Sequence, residues 1–285
     1  MLCTLNALKK SLLPTTFNEH FHFGHANALR QAKSLGDQLI VGNHSDKEIT
    51  KHKGPPVLHE QERYRLIRAM KRVDEVVEDA PYFTYVKTLE KYSCEFCVHG
   101  DDLVVSNDGS DPYAEVKATN RYKEVKRTEG ISTTALVSRM LKRIQQLQDQ
   151  ANDVTDSINV SILATGGMTY MPNILRISQI CSGQFREPNS NDHVVYVPGT
   201  FDLFHIGHLS FLEQCLKLGN YLLVGLYSDK TSSFESGRMG SIRTLQERLL
   251  SVLACRYVSN VIIDAPYVIP PNLLDHFNVN YVAIG

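Results

Sequence analysis

The sequence predicts an α/β protein of two tandem domains, each a doubly wound parallel sheet. Three observations carry that prediction: a long pattern is written twice, strand-like and helix-like runs alternate through both copies, and a stretch rich in Asn, Ser and Gly separates them. The tetrapeptide His22-Phe23-Gly24-His25 recurs as His205-Ile206-Gly207-His208. Each opens a helix-like run, followed by an apolar run ending in Val-Gly and then by Ser-Asp-Lys. Glu62-Arg63 recurs as Glu247-Arg248, and Asp79-Ala80-Pro81-Tyr82 as Asp264-Ala265-Pro266-Tyr267. Cys97-Val98-His99-Gly100 has a weaker echo in Val282-Ala283-Ile284-Gly285. The histidines 22 and 205 lie 183 positions apart and the glutamates 62 and 247 lie 185 apart, so few insertions separate the copies. A period this long marks duplicated domains and not a solenoid. The first domain is placed at residues 1–149, a linker at 150–192 and the second domain at 193–285.

The elements follow in order. Residues 24–35 read as a helix that Gly36 stops, and Gln38 to Gly42 as a short apolar strand buried on both faces. Ser45 to Glu48 starts another turn, whereas 51–56 reads as a loop because two prolines follow Gly54. Helix is expected over 60–71 and 86–91, with strands at 75–77 and 94–99. Residues 101–112 hold Asn-Asp-Gly and Asp-Pro turn signals. Residues 132–149 read as a helix, with Leu136, Val137, Met140, Leu141, Ile144 and Leu147 at three- and four-residue steps. The linker holds one candidate helix near 173–181, and Val194 to Val197 opens the second copy as a strand.

Bulk composition excludes several classes. Hydrophobic residues at 42% and charged residues at 21% describe an ordinary water-soluble chain with apolar mass enough for two cores. A formal net charge of −1 leaves no electrostatic footprint for nucleic acid or an acidic membrane. No apolar run approaches the roughly 18 residues of a transmembrane span, and the first 14 residues carry no secretory signal, so a cytoplasmic location is expected. Cys94 and Cys97 have a C-x-x-C spacing, but without a second pair they read as residues of a buried strand, reduced and not metal-bound. No dedicated metal site is expected.

Two imidazoles three residues apart at a helix start point the same way. There they can present positive charge or N–H donors to a phosphate that the helix dipole already favours. The second copy opens Tyr196-Val-Pro-Gly-Thr-Phe-Asp-Leu-Phe-His-Ile-Gly-His208, and the first adds Lys51-His-Lys-Gly-Pro-Pro56 and Arg127-Thr-Glu-Gly-Ile-Ser-Thr-Thr134. With these motifs the chain resembles the cytidylyltransferases, nucleotidyltransferases of Rossmann-like fold, and in particular those with two such domains in tandem. His-x-Gly-His occurs in other nucleotidyltransferases, including adenylyltransferases of coenzyme biosynthesis, but Arg-Thr-x-Gly-Ile-Ser-Thr does not fit those.

The resemblance implies the reaction of CTP with phosphoethanolamine to give CDP-ethanolamine and pyrophosphate, a step of phospholipid biosynthesis, with Mg²⁺ carried by the CTP. It makes His22, His25, Lys53 and Arg127 the catalytic candidates. His22, His25 and Lys53 would meet the α- and β-phosphates, and Arg127 the departing pyrophosphate. Nucleotide-binding candidates are Thr128, Gly130, Ile131, Ser132, Thr133 and Thr134, cradling phosphate at a helix start, with Arg63 as a further phosphate contact. His99, Asp101 and Asp102 stand at a strand's carboxyl end, where cytosine or ethanolamine could be read. The second copy offers Gly199, Thr200, Phe201, Asp202, His205, His208 and Arg248.

Both copies depart from the family pattern. Before His22 the first strand is atypical or missing, with Thr16 where the turn glycine belongs and Glu19 where the aspartate belongs. The second copy has Ser236-Gly237 in place of Lys53-Gly54, and it reaches Gly285 before any Arg-Thr-x-Gly-Ile-Ser-Thr segment. Catalysis in the first domain, with the second as support, is therefore the leading expectation. The alternatives are a non-catalytic nucleotide-binding or regulatory chain, and phosphocholine as substrate. Oligomeric state is not legible, and a homodimer is compatible with the pattern.

Overall fold

Among the described residues nine short runs form the strands of two all-parallel sheets, and the inner strands, such as those at 38–43, 194–199 and 221–226, are apolar because helices cover both of their faces. The computed structural model describes residues 9–15, 21–102, 106, 109–128, 136–142, 144–145, 187–235 and 240–285. In the first copy the strands are β1 (Lys10–Thr15), β2 (Gln38–Asn43), β3 (Glu75–Glu78), β4 (Phe96–Gly100) and β5 (Tyr122–Val125). They lie in the order β3-β2-β1-β4-β5. The helices are α1 (Phe23–Ser34), α2 (Asp46–Lys53), α3 (Glu60–Arg68), α4 (Val86–Lys91) and α5 (Ala114–Ala118), followed by helical residues 136–142, here α6. The second copy contains β6 (Val194–Gly199), α7 (Ile206–Cys215), β7 (Tyr221–Leu226), α8 (Asp229–Glu235), α9 (Leu245–Ala254), β8 (Asn260–Ile263), α10 (Pro271–His276) and β9 (Val279–Val282). Its order, β8-β7-β6-β9, is that of the first sheet without an outermost strand. In each sheet the winding reverses beside the first strand, β1 or β6, which opens a crevice at the strands' carboxyl ends.

The first strand, expected to be atypical or missing, is present and central. β1 pairs with β2 along its whole length and with β4 through Ser11 and Leu12. Pro14 has no N–H to donate, which accounts for the short ladder to β4. The register also moves one assignment. Pro14 pairs with Gly42 as Pro198 pairs with Gly225, so Thr15, and not Thr16, stands level with Gly199. The two copies differ by one residue between this proline and the first histidine, and that difference misled the count. Thr16 and Glu19 lie outside the described residues.

Other boundaries differ for local reasons. α2 continues through Lys51, His52 and Lys53, which the two prolines had suggested were loop; it ends where Gly54 takes φ +96°. α3 stops at Arg68 instead of residue 71, because residues 69–71 turn away to meet the second copy. β4 begins at Phe96, two residues after the expected start. α5 and β5 escaped the periodicity reading because they have 5 and 4 residues, and β5 is a largely exposed edge strand. The ends of the helix expected over 132–149, and the whole candidate helix at 173–181, lie outside the described residues.

Matching glycines seat both first helices on their sheets. A Cβ on Gly36 would lie 2.9 Å from the Lys9 carbonyl oxygen, and one on Gly219 would collide with the His193 carbonyl. Both positions admit the chain entering the central strand only because no side chain is there.

One apolar cluster runs through both copies. It joins Leu29, Ala32, Leu66, Ile67 and Met70 of the first to Leu209, Leu212, Leu249, Leu253 and Cys255 of the second. At its edge the backbones exchange hydrogen bonds: the Lys71 N–H donates to the Ala254 carbonyl (2.9 Å) and the Arg256 N–H to the Ala69 carbonyl (2.7 Å). Met70 and Cys255, themselves 185 positions apart like the repeat, face each other in an antiparallel bridge. The contact is isologous, as in a two-fold dimer, but within one chain. Arg256 adds hydrogen bonds from Nη2 to the carbonyls of Met70 (2.9 Å) and Val73 (2.8 Å), and Arg65 pairs with Glu213. Arg256→Ala leaves those two carbonyls without a charged donor and should cost about 1–3 kcal/mol. A lowered urea midpoint, with far-ultraviolet circular dichroism unchanged, is the expected result.

Candidate active site

His22 caps α1 with extended backbone (φ −135°, ψ 169°), so the chain leaves β1 and turns into the helix at the carboxyl end of the sheet. Its backbone N–H donates to Nδ1 of His25 (3.3 Å), and the two rings stack at 3.7 Å with 15° between their planes. Because Nδ1 of His25 accepts, the neutral ring carries its proton on Nε2. The second copy repeats the device, with the His205 N–H donating to Nδ1 of His208 at 3.3 Å.

Burial decides the charge state of the pair. The pKa of His22 falls to about 4, first through burial and then through the charges of Arg243 and Arg127. His25 falls well below the ordinary histidine value through burial, then through His22, Arg243 and Arg127. Near neutral pH both rings are therefore neutral N–H donors. Of the two roles open to them in the sequence, donation without charge is the one this environment permits.

The same crevice gathers residues from four strand ends. Lys53 closes α2, and burial lowers its pKa against the opposing pull of Asp102. Asp101 and Asp102 follow β4. Asp101 accepts from the Arg127 backbone N–H (2.9 Å), and Asp102 from its Nη1 (3.2 Å). Arg127 follows β5 and is more than half exposed, so its guanidinium can leave Asp102 for a ligand. His99, in β4, pairs Nδ1 with the Gly100 carbonyl (3.1 Å), and its pKa is lowered by burial, with Lys53 adding to the effect. The guanidinium of Arg127 acts on both His22 and His25, and Asp102 acts on Lys53, so these four candidates share one electrostatic site. Gly130, Ile131, Ser132, Thr133 and Thr134 lie outside the described residues. Thr128 is described, and its Oγ1 accepts from Asn27 of α1 (2.9 Å).

Arg63 is corrected from ligand contact to internal lock. Its side chain is fully buried, with Nε donating to the Leu58 carbonyl (3.1 Å) and Nη1 to Asn43 Oδ1 (3.1 Å) and the His44 carbonyl (2.9 Å). Its Nη2 pairs with Asp46 at 2.6 Å. Arg248 is used in the same way on the carbonyls of Arg243, Thr200 and Tyr227 and on Asp229. Asp202 likewise serves the scaffold, accepting from the backbone N–H groups of Ile242 (2.5 Å) and Arg243 (3.1 Å). Gly199 is where a Cβ would press on the Phe201 ring, and Phe201 is itself buried at φ +51°. His205 is exposed, with Nδ1 accepting from the Gly207 N–H (2.9 Å).

Sequence reasoning missed several participants. His44, at the end of β2, is buried with its ring on the Ala80 carbonyl (2.8 Å), and burial brings its pKa to about 4. Arg243 and Glu247 reach the first site from across the seam, and Arg139 of the first copy meets Glu247 there; the repeat marked Glu247 but gave no sign of this contact. Asn27, two positions past His25, had only its place on the helix as a signal.

A crevice of neutral imidazole donors, one lysine and one swivelling guanidinium suits a triphosphate undergoing in-line transfer, which makes this a nucleotidyltransferase by class. The sequence model described as cytidylyltransferase-like matches residues 12–139 and 196–285, and the chain belongs to that family. It is 45% identical to ethanolamine-phosphate cytidylyltransferase of Mus musculus, with 93% of this chain and 72% of the relative covered. With the protein of the same description from Dictyostelium discoideum the figures are 44%, 93% and 75%. Choline-phosphate cytidylyltransferase 2 of Arabidopsis thaliana is 42% identical, but the match covers 44% of this chain and 43% of that protein.

The depressed histidines make a prediction. His22, His44 and His208 each have a folded pKa of about 4, below the unfolded value of 6.5, so the unfolded chain binds more protons between those limits. Stability is therefore complete above pH 6.5 and is lost as pH falls toward 4, by about 1.4 kcal/mol per group for each unit of displacement. Urea midpoints measured from pH 8 to 4.5 should be flat and then fall, and His44→Gln should make the fall shallower.

Proposed function

We propose that the first copy transfers the cytidylyl group of CTP to phosphoethanolamine, releasing CDP-ethanolamine and pyrophosphate. What supports this reading is that Arg127 acts electrostatically on His22 and His25 and holds Asp102, which in turn acts on Lys53, in a chain whose similarity to ethanolamine-phosphate cytidylyltransferases runs through both copies. The choline-phosphate relative matches less than half of the chain, which favours the ethanolamine head group.

A phosphate oxygen of phosphoethanolamine attacks the α-phosphorus, a new P–O bond forms, and the bond to the β-phosphate oxygen breaks opposite it. No protein nucleophile is required. Catalysis rests on placing the reactants in line and on offsetting charge at the equatorial oxygens. Nε2–H of His25 donates to the α-phosphate, and His22 and Lys53 act on the α- and β-phosphates. Arg127 exchanges Asp102 for the pyrophosphate as the latter departs. Neutral imidazoles suit this task, since they orient oxygens without holding the product by full charge.

Magnesium would accompany the triphosphate and neutralise part of its charge. Among the described residues no three His, Cys, Asp or Glu side chains are grouped to cage an ion, and Asp101 and Asp102 are both engaged by Arg127. That donor set fits an ion carried by the nucleotide. No helix among the described residues is long and apolar enough to cross a membrane. Buried, protonated thiols at Cys94 and Cys97 agree with work in the reducing cytoplasm.

Steady-state formation of CDP-ethanolamine from CTP is the test, with phosphocholine run beside phosphoethanolamine. Turnover with phosphoethanolamine should exceed that with phosphocholine, and His25→Ala should lower kcat on the order of 10²–10³-fold. Folded protein without turnover, or a variant as fast as the parent, would defeat the reading.

A further inference from the structure

The described residues on either side of 129–135 are each fastened by side chains, those at 126–128 to the first copy and Arg139 to the second. On the near side the chain is fixed to α1, the helix that carries the histidines. Gln31 bonds the Lys126 carbonyl (2.8 Å) and N–H (3.1 Å), and Asn27 bonds Thr128 (2.9 Å). On the far side Leu136 is buried, and one turn later Arg139 crosses the seam. Its guanidinium grips Glu247 of the second copy with both nitrogens at 2.7 Å and adds a bond to the Ile242 carbonyl (3.2 Å).

The receiving corner is cross-linked by hydrogen bonds. Glu247 Oε2 accepts from the N–H (2.9 Å) and hydroxyl (3.1 Å) of Thr244, the N-cap of α9, and the Asp202 carboxylate holds the N–H groups of Ile242 and Arg243. Although burial raises it, Glu247 is brought to about pKa 2 by Arg139 and Thr244, so the pair is ionised at any working pH. Glu62, its counterpart in the first copy, only caps its own helix, accepting from the His59 N–H (3.0 Å).

We propose that the second copy is a positioning element of the first copy's triphosphate site, and that the Arg139–Glu247 clamp is its point of action. A bidentate guanidinium–carboxylate pair fixes direction as well as distance, which a site working by alignment requires. Asp202, a candidate ligand contact of the second copy, thus serves the other copy's chemistry by shaping the corner that receives Arg139.

The inference rests on the proposed activity, and its test separates the two. Hydrogen exchange of peptides covering 128–142 in ligand-free protein reports the clamp without reference to any reaction. Arg139→Gln, a partly exposed residue whose loss spares the Thr244 cap, should speed that exchange while the melting temperature stays near the parent value. In steady-state kinetics it should raise KM for CTP about tenfold and leave KM for phosphoethanolamine unchanged, lowering kcat/KM for CTP by roughly 10–100-fold. Glu247→Gln retains the cap and should act alike, the double variant should be no worse than either single, and Arg139→Lys should recover part of the loss. Parent-like exchange, additive losses, or a fall in kcat alone would overturn the proposal. A parent chain that makes no CDP-ethanolamine would instead defeat the proposed activity, with the exchange result still deciding whether the clamp orders the segment.

Discussion

The isologous exchange at Met70 and Cys255 is the constraint on which the rest of the molecule depends. It presses α1 and α9 into one continuous core, and α1 begins at the His22–His25 pair. The crevice at the first sheet therefore lies beside the seam. That placement removes water from the imidazoles and brings Arg243 and Glu247 within electrostatic reach of His22. Arg243 is 2% exposed, its Nη2 has no partner among the described residues, and burial lowers its pKa. A cation so poorly solvated makes further positive charge nearby costly and adds to burial, the larger cause, in keeping the histidines neutral.

Glu62-Arg63 and Glu247-Arg248 recur because both copies solve one packing problem. The loop leaving the second strand of each sheet exposes carbonyls toward the interior, and an arginine threaded beneath them satisfies these and pairs with an aspartate at the next helix, Asp46 or Asp229. Burying a guanidinium costs several kcal/mol unless nearly every donor finds an acceptor. The matching partner sets in the two copies meet that requirement. Repetition in sequence marked residues the fold needs, and in this case not residues that touch a ligand.

Much of the fold was legible because periodicity reports burial. The apolar runs of β2 and β7 are buried on both faces, and the repeat told which helices must stand beside them. The first strand was obscured because its turn diverges and the chain between Pro14 and His22 is one residue longer than in the second copy. Of the candidate site, the histidine pair stood out by its repetition, and Lys53 and Arg127 came from the resemblance to the cytidylyltransferases, since one contiguous segment carries each. Arg139 and Arg243 could not, and the repeat that marked Glu247 did not show its contact with Arg139. Their relevance comes from the packing of two copies, and a helix such as α6 gives no sign of which polar residue will find an acceptor in another domain.

The copies share a scaffold, yet their histidine pairs sit in different fields. His22 and His25 feel guanidinium groups from both sides of the seam, whereas His208 is lowered only by burial and by His205. A triphosphate entering the first crevice would meet Arg127, Lys53 and two N–H donors; at the second it would meet an exposed His205 whose Nδ1 already accepts from Gly207. Two carboxylate side chains of the second copy are directed elsewhere: Asp202 toward its own backbone, and Glu247 toward Arg139 of the first. Duplication supplied two equivalent sheets. What distinguishes them is which side of the seam receives the charge, and that asymmetry gives the two histidine pairs different surroundings.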